Sequence, residues 1–90
     1  MRFALMTKDK PGALQTRMDN RAAHLDYVAE TGVVDLAGPF LDDDGQMCGS
    51  LIVLEVPDMA AAEDWAANDP YAKAGLFEEV TLRAWKKVIG

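Results

Sequence analysis

The sequence predicts one small α+β domain of the ferredoxin-like kind, in which two helices cover one face of a four-stranded antiparallel sheet. Three observations predict it. The 90 residues suit a single domain, half of them are hydrophobic, and apolar patterns typical of strands and helices follow one another in the order βαββαβ. No linker, repeat or low-complexity segment divides the chain, so residues 1–90 are treated as one domain.

The first half of the chain has the pattern of strand, helix, strand. Residues 2–7 are a short apolar run that ends at Lys-Asp-Lys-Pro-Gly, which indicates a buried strand and then a break. From Leu14 to Thr31 apolar residues recur at helical spacing, with Pro11 suited to a first helical turn and Gly32 to a C-terminal cap. Residues 33–41 are extended in character and predict the second strand.

The second half predicts a strand, a helix and an edge strand. An Asp-Asp-Asp-Gly turn leads into residues 47–56, the most strand-like segment of the chain. Asp58 is the expected N-cap of a second helix, which continues until Asn-Asp-Pro at residues 68–70 interrupts it. After a turn around Gly75, residues 80–87 alternate between apolar and polar and predict the edge strand.

The third predicted strand is apolar on both of its sides. Leu51 and Val53 lie on one side, while Ile52, Leu54 and Val56 lie on the other. A two-layer domain leaves the far face of its sheet to water, so this pattern indicates that a second copy covers that face. A central strand that is simply apolar is the alternative. We favour a homodimer formed through the sheet faces, because a chain this small gains stability from association.

Composition excludes several classes of function. A net charge of −6 and a pI near 4.5 argue against binding to nucleic acid or to an anionic membrane surface. No apolar run approaches the roughly 20 residues that cross a bilayer, and the N-terminal residues do not resemble a signal peptide, so a cytoplasmic location is expected. The single Cys48 and the single His24 are far apart in sequence, so no metal site is expected.

The first helix carries a basic stripe, which we define as Arg17, Arg21 and His24 at positions i, i+4 and i+7. At about 100° per residue, Arg21 projects close to the middle of the apolar face, with Arg17 and His24 on one flank. A buried charge costs several kcal/mol unless it is paired, so Arg21 is expected to need a carboxylate or an anionic ligand. The apolar residues that define this face are Leu14, Met18, Leu25 and Val28.

His24 and Asp69 are the candidates for acid–base chemistry. An imidazole exchanges protons close to neutral pH. Asp69 lies where the second helix ends, and in this topology the two helices run side by side in the same direction, so its carboxylate can approach His24. Two plainer interpretations remain open: His24 as a half-buried helix residue beside a structural ion pair of Arg21, and Asp69 as a turn former before proline.

Ser50 is a further candidate, because it lies on the same side of its strand as Ile52 and Leu54. If that side faces the helices, its hydroxyl reaches a ligand between sheet and helix. Otherwise Ser50 is a small residue beside a bulge that Gly49 allows. The acidic run at residues 42–45 is not an EF-hand, because its aspartates are contiguous rather than alternate.

Several segments of the chain, in the order in which they occur, resemble the YciI-like (YCII-related) family. The Arg-x-x-His segment, the Asp-Pro-Tyr turn and the Ala-Gly-Leu that follows it are fairly specific as a combination, and the resemblance spans nearly the whole chain. The matching segments are Arg21-Ala22-Ala23-His24-Leu25, Ala37-Gly38-Pro39, Gly49-Ser50 and residues 62–77.

The resemblance implies a dimeric α+β barrel fold, related to that of muconolactone isomerases, and a His/Asp active-site pair that falls on His24 and Asp69. Some members of the family are cofactor-free lyases or dehydrochlorinases, so the resemblance implies no cofactor and a small-molecule ligand. The positions expected to line the pocket and contact a substrate are Arg21, Pro39, Ser50 and, within the Asp-Pro-Tyr motif, Tyr71.

Three functions remain open from the sequence. The first is an enzyme that moves a proton on a small anionic or phenolic molecule, as a lyase or isomerase does, with His24 as acid or base and Asp69 as its partner. The second is a binding or sensing module in which Arg21 matters more than His24. The third is a structural subunit, which a filled interior around His24 would favour.

Overall fold

The protein is described here by a computed structural model of residues 1–90, which has the βαββαβ order with one short helix added before the last strand. The sheet has the order β2-β3-β1-β4, and each neighbouring pair is antiparallel. The ferredoxin-like α+β fold is therefore confirmed. The strands are β1 (Arg2–Asp9), β2 (Val34–Leu41), β3 (Met47–Glu55) and β4 (Phe77–Trp85), and the helices are α1 (Leu14–Thr31), α2 (Met59–Asn68) and α3 (Pro70–Lys73).

The helix ends follow the signals in the sequence. Helix α1 has the predicted bounds, and Gly32 caps it in the left-handed conformation (φ 64°), donating its N–H to the carbonyl of Val28. Asp58 caps α2 by accepting a hydrogen bond from the N–H of Ala61. Pro11 differs, because it lies in the turn before α1 rather than in its first helical turn.

The bounds of all four strands differ from the prediction: β2 begins one residue later, β3 ends one residue earlier and β4 ends two residues earlier, at Trp85. Strand β1 continues two residues further than expected, to Asp9, and β4 begins at Phe77 rather than at residue 80. Both differences come from the same pairing, since Lys8 and Asp9 pair with Glu79 and Phe77 across a β-bulge. Lys8, Asp9, Glu78 and Glu79 are all charged, and charged residues give a segment no strand-like pattern in sequence. Helix α3 is too short for its periodicity to be recognised.

The hydrophobic core lies between the two central strands and α2. Phe3 and Leu5 of β1 face the same side as Ile52 and Leu54 of β3, and Trp65 of α2 packs against them. Each large side chain buried in this way contributes roughly 1.5–3 kcal/mol. The indole N–H of Trp65 also donates to Thr31 Oγ1 (2.9 Å), and this bond fixes α2 against the end of α1.

The orientation of α1 corrects the expected apolar face. Met18 and Leu25, which were expected to be buried, are each 48% exposed, whereas Arg17 and His24 are buried at 3% and 6% exposure. Arg21, expected near the middle of the buried face, is exposed. The helix is rotated because Arg17 and His24 each bind a buried carboxylate on another element of the fold. The periodicity of the helix sequence contains no information about those partners.

The sheet face away from the helices is uncovered in the single chain. Strand alternation places Ala4 and Met6 of β1 on this face, paired with Val53 and Leu51 of β3. The edge strands add exposed large apolar side chains to it, namely Leu36, Phe40 and Trp85. None of the helices is both long and apolar enough to cross a membrane.

Gly49 is predicted to be required for the pairing of β3 with β1. A Cβ at this position would collide with the backbone carbonyl of Thr7 on β1, which cannot move without breaking the ladder. We expect Gly49→Ala to lower the free energy of unfolding by about 1–3 kcal/mol, as overpacking does. Gly38→Ala on β2 is the matched control, because a Cβ there meets no atom within 4 Å. Equal urea midpoints for both variants would contradict the prediction.

Candidate active site

His24 and Asp69 are in contact. His24 Nδ1 lies 2.7 Å from Asp69 Oδ1, and Asp69 is completely buried. His24 stands on the third turn of α1, and Asp69 stands between α2 and α3, where it also caps α3 by accepting the N–H of Tyr71 (3.0 Å) on the same oxygen. The two interpretations of Asp69 left open by the sequence, a turn former and a partner of His24, therefore both describe it.

The contact with Asp69 determines which nitrogen of His24 is available. A carboxylate accepts hydrogen bonds, so it selects the tautomer with the proton on Nδ1 and leaves the lone pair on Nε2. Two buried side-chain N or O atoms lack a hydrogen-bond partner, Thr7 Oγ1 and Asp69 Oδ2. Nε2 of His24 also has no partner, but it is not one of the buried atoms, so it is accessible. Because His24 lines a cavity, Nε2 is open to that cavity. It is positioned to accept a proton.

Tyr71 supports the His24 ring from its face. The two rings are stacked, with centroids 4.0 Å apart and an interplanar angle of 12°, and the guanidinium carbon of Arg17 lies 4.7 Å from the centroid of the Tyr71 ring. Burial raises the pKa of Tyr71 above its usual value, although the charges of Arg17 and Arg21 act in the opposite direction. The phenol is therefore protonated at neutral pH.

Arg17 is the buried cation of the site. It makes two hydrogen bonds to Asp9, Nε to Oδ2 at 2.7 Å and Nη2 to Oδ1 at 3.1 Å, and Nη2 also donates to Ser50 Oγ at 2.9 Å. Burial alone lowers the pKa of Arg17, but the hydrogen bonds and charge of Asp9, with a smaller contribution from Tyr71, raise it above its usual value. This geometry settles the side of Ser50, which faces the helices.

The sequence reasoning missed Asp9. Its position continues the alternation of Phe3, Leu5 and Thr7 along β1, which places it on the face that α1 covers. The requirement for a carboxylate was recognised but assigned to Arg21. One signal could have identified the pair of Arg17 and Asp9. Asp9 is an acid on the same side of β1 as the core residues, and α1 carries an arginine that could reach it.

A cavity of about 170 Å³ lies between α1 and the β2–β3 side of the sheet. An apolar cavity of about 150 Å³ holds a benzene molecule, so this one fits a molecule with a single ring. Of the candidates from the sequence, all but Asp69 line the cavity, and Asp69 lies behind His24. The lining residues are Arg17, Arg21, His24, Leu25, Ala37, Gly38, Pro39, Met47, Ser50, Ile52 and Tyr71.

Arg21 differs from Arg17 in having no acidic partner. The ion pairs of the protein involve Arg2, Lys8, Arg17 and His24, and Arg21 is in none of them. Arg21 is exposed and lines the cavity, so it places a free positive charge there.

The acids outside the site have structural roles. Asp35 pairs with Arg2 at 3.0 Å, and Asp42 Oδ1 accepts two backbone N–H groups of its own turn.

Fold and site together define a class of protein, a small ferredoxin-like α+β domain with a histidine–aspartate contact beside a cavity between its sheet and first helix. Residues 1–86 match the YCII-related domain, and the chain belongs to that family. The YciI protein of Escherichia coli O6:H1 is 33% identical over 98% of this chain and 99% of its own length.

Two solved structures are informative about the fold. A 5-chloro-2-hydroxyhydroquinone dehydrochlorinase from Burkholderia phenoliruptrix AC1100, TftG, in complex with 2,5-dihydroxybenzoquinone, has a TM-score of 0.87 and 38% identity, over 96% of this chain and 94% of that one. An antibiotic biosynthesis monooxygenase has a TM-score of 0.61 at 14% identity, over 98% of both chains, and shares the fold alone.

The buried ion pair yields a prediction about stability. Asp9→Leu leaves the Arg17 guanidinium buried without its carboxylate, so we expect a loss of about 3–5 kcal/mol in the free energy of unfolding. The double variant Asp9→Leu with Arg17→Met removes both charges and is expected to recover most of that loss. Arg2→Met is the control, because its pairs with Asp35 and Glu55 are partly exposed and are worth about 0–1 kcal/mol each. Urea unfolding measures all three, and a loss for Asp9→Leu no larger than for Arg2→Met would contradict the prediction.

Proposed function

We propose that this protein is an enzyme of the lyase or isomerase type, which moves a proton on a small anionic or phenolic molecule by means of His24 and Asp69. The observation that carries the proposal is the way His24 is held. Its Nδ1 edge contacts Asp69, its face stacks on Tyr71, and its Nε2 is open to a cavity of single-ring size.

In this proposal His24 accepts a proton at Nε2, and Asp69 holds the ring in the required tautomer and stabilises the imidazolium that results. Proton transfer by one positioned group contributes roughly 10²- to 10⁴-fold in rate. The free cation of Arg21 attracts an anionic substrate to the cavity. Ser50 and Pro39 line the wall beside it, with the hydroxyl of Ser50 held by Arg17.

The similarity to the dehydrochlorinase supports a particular reaction class. Loss of HCl from a chlorinated polyhydroxybenzene removes one proton and one chloride and needs no electron acceptor. For such a substrate, His24 takes the proton of a ring hydroxyl, the O–H electron pair enters the ring system, and the chloride leaves with the C–Cl pair from a carbon that has already taken up a proton. A base that also returns protons serves both stages, and a histidine does so near neutral pH.

The test compares variants of the two central groups. With 5-chloro-2-hydroxyhydroquinone as substrate, we expect His24→Gln and Asp69→Asn each to lower chloride release by roughly 10²- to 10⁴-fold. Asp35→Asn, an acid outside the cavity, is the control and should release chloride at the rate of the unmodified protein.

Two results would count against this function. If His24→Gln turns over the substrate normally, the assignment of the base is wrong. If the unmodified protein releases no chloride and Arg21→Met, but not His24→Gln, abolishes binding of 2,5-dihydroxybenzoquinone, the binding-module alternative holds instead.

We also propose that two copies associate through the uncovered sheet faces. The support is the exposed apolar surface of Leu36, Phe40 and Trp85 around the buried Val53. An isologous contact of this kind lets each copy cover the other's sheet.

The proposed association predicts that Phe40→Glu yields a monomer in sedimentation velocity, because it places a charge within the apolar contact. Met18→Glu, at a similarly exposed residue of α1, should leave the dimer intact. A dimer that survives Phe40→Glu and dissociates with Met18→Glu would show that the copies meet through α1.

A further inference from the structure

Tyr71 brings a second titratable group to the cavity wall. Its backbone N–H donates to Asp69, whereas its phenol hydroxyl lies within hydrogen-bonding reach of the Arg17 guanidinium and is not among the buried polar atoms without a partner. Tyr71 lines the cavity and is 2% exposed, so the small part of it that remains open faces a ligand. Stacking on His24 requires only a ring, and a phenylalanine would supply one.

Two cationic side chains line the cavity together with Tyr71. The charges of Arg17 and Arg21 act on the Tyr71 hydroxyl, and the charge of Asp69 acts in the opposite direction. Two nitrogens of Arg17, Nε and Nη2, are committed to Asp9 and Ser50, and the guanidinium is also a hydrogen-bonding neighbour of the Tyr71 hydroxyl. The wall therefore offers one phenolic donor and one guanidinium donor side by side.

We propose, on the basis of the function proposed above, that the Tyr71 hydroxyl and Arg17 together bind an oxygen atom of the substrate while His24 removes a proton from another position. The substrate class is then a conjugated ring with at least two oxygens, such as a hydroxyquinone or polyhydroxybenzene. When the O–H or C–H bond breaks, its proton goes to His24 Nε2 and its electron pair delocalises to the oxygen at Tyr71. The pair later leaves with the departing group or returns to carbon with a proton.

This arrangement makes Tyr71 a catalytic residue and not only a support for the imidazole. A donor aimed at the atom where charge develops becomes more effective as the reaction proceeds. Removal of the hydroxyl should therefore reduce kcat as well as the affinity for a ligand that already carries charge on oxygen. A residue with a purely structural role would change stability instead.

The experiment uses Tyr71→Phe, which keeps the stacked ring and removes only the hydroxyl, and Tyr27→Phe as its matched control. The Tyr27 hydroxyl donates to the carbonyl of Trp65 and lies outside the cavity wall. The probe is 2,5-dihydroxybenzoquinone, titrated by its visible absorption. We expect Tyr71→Phe to weaken binding roughly 10- to 100-fold, as loss of a hydrogen bond to a charged group does, and Tyr27→Phe to bind as the unmodified protein does.

The outcomes separate this inference from the function on which it rests. If His24→Gln loses turnover but Tyr71→Phe binds the probe and turns over 5-chloro-2-hydroxyhydroquinone normally, only the role of Tyr71 is overturned. If His24→Gln keeps full turnover, the proposed function fails whatever Tyr71→Phe does. If the unmodified protein does not bind the probe, the substrate class is wrong. A lower urea midpoint for Tyr71→Phe with unchanged affinity would assign Tyr71 to structure alone.

Discussion

The site depends on one buried carboxylate. Asp69 Oδ1 accepts the N–H of Tyr71, which lies in the first turn of α3, and contacts the Nδ1 of His24, which belongs to α1. A carboxylate in a desolvated position is tolerated only where such partners compensate its lost hydration. Because the same Asp69 oxygen binds both Tyr71 and His24, the local structure of the Asp-Pro-Tyr turn and the packing of α1 are coupled. The same turn then places the Tyr71 ring against His24.

A second buried charge pair determines how α1 lies on the sheet. The double hydrogen bond between Arg17 and Asp9 joins α1 to β1, and the contact of His24 with Asp69 joins α1 to the turn before α3. Two polar residues separated by seven positions thus face inward, while Met18 and Leu25 between and beyond them face outward. The interior under this helix is consequently polar and partly hollow, and the apolar core lies under α2 instead.

The fold could be predicted almost completely from the sequence, because the Leu-Ile-Val-Leu strand, the capping Asp58 and the Gly32 stop each carry a local signal. The candidate cavity residues could also be named, but largely through a family resemblance. The rotation of α1 could not be predicted, since it depends on Asp9 and Asp69, which lie on other elements. An analysis of periodicity assigns the apolar residues to the buried face of a helix and the charged residues to its exposed face. At this site the long-range partners reversed both assignments.

The unpartnered oxygen of Asp69 has one further consequence. Oδ2 is sealed from solvent and receives no hydrogen bond, so water does not screen its share of the negative charge. This oxygen belongs to the same carboxylate that holds the imidazole at Nδ1. The negative charge that the proposed mechanism requires beside the ring is thus in place before any ligand arrives, as preorganised electrostatic stabilisation demands.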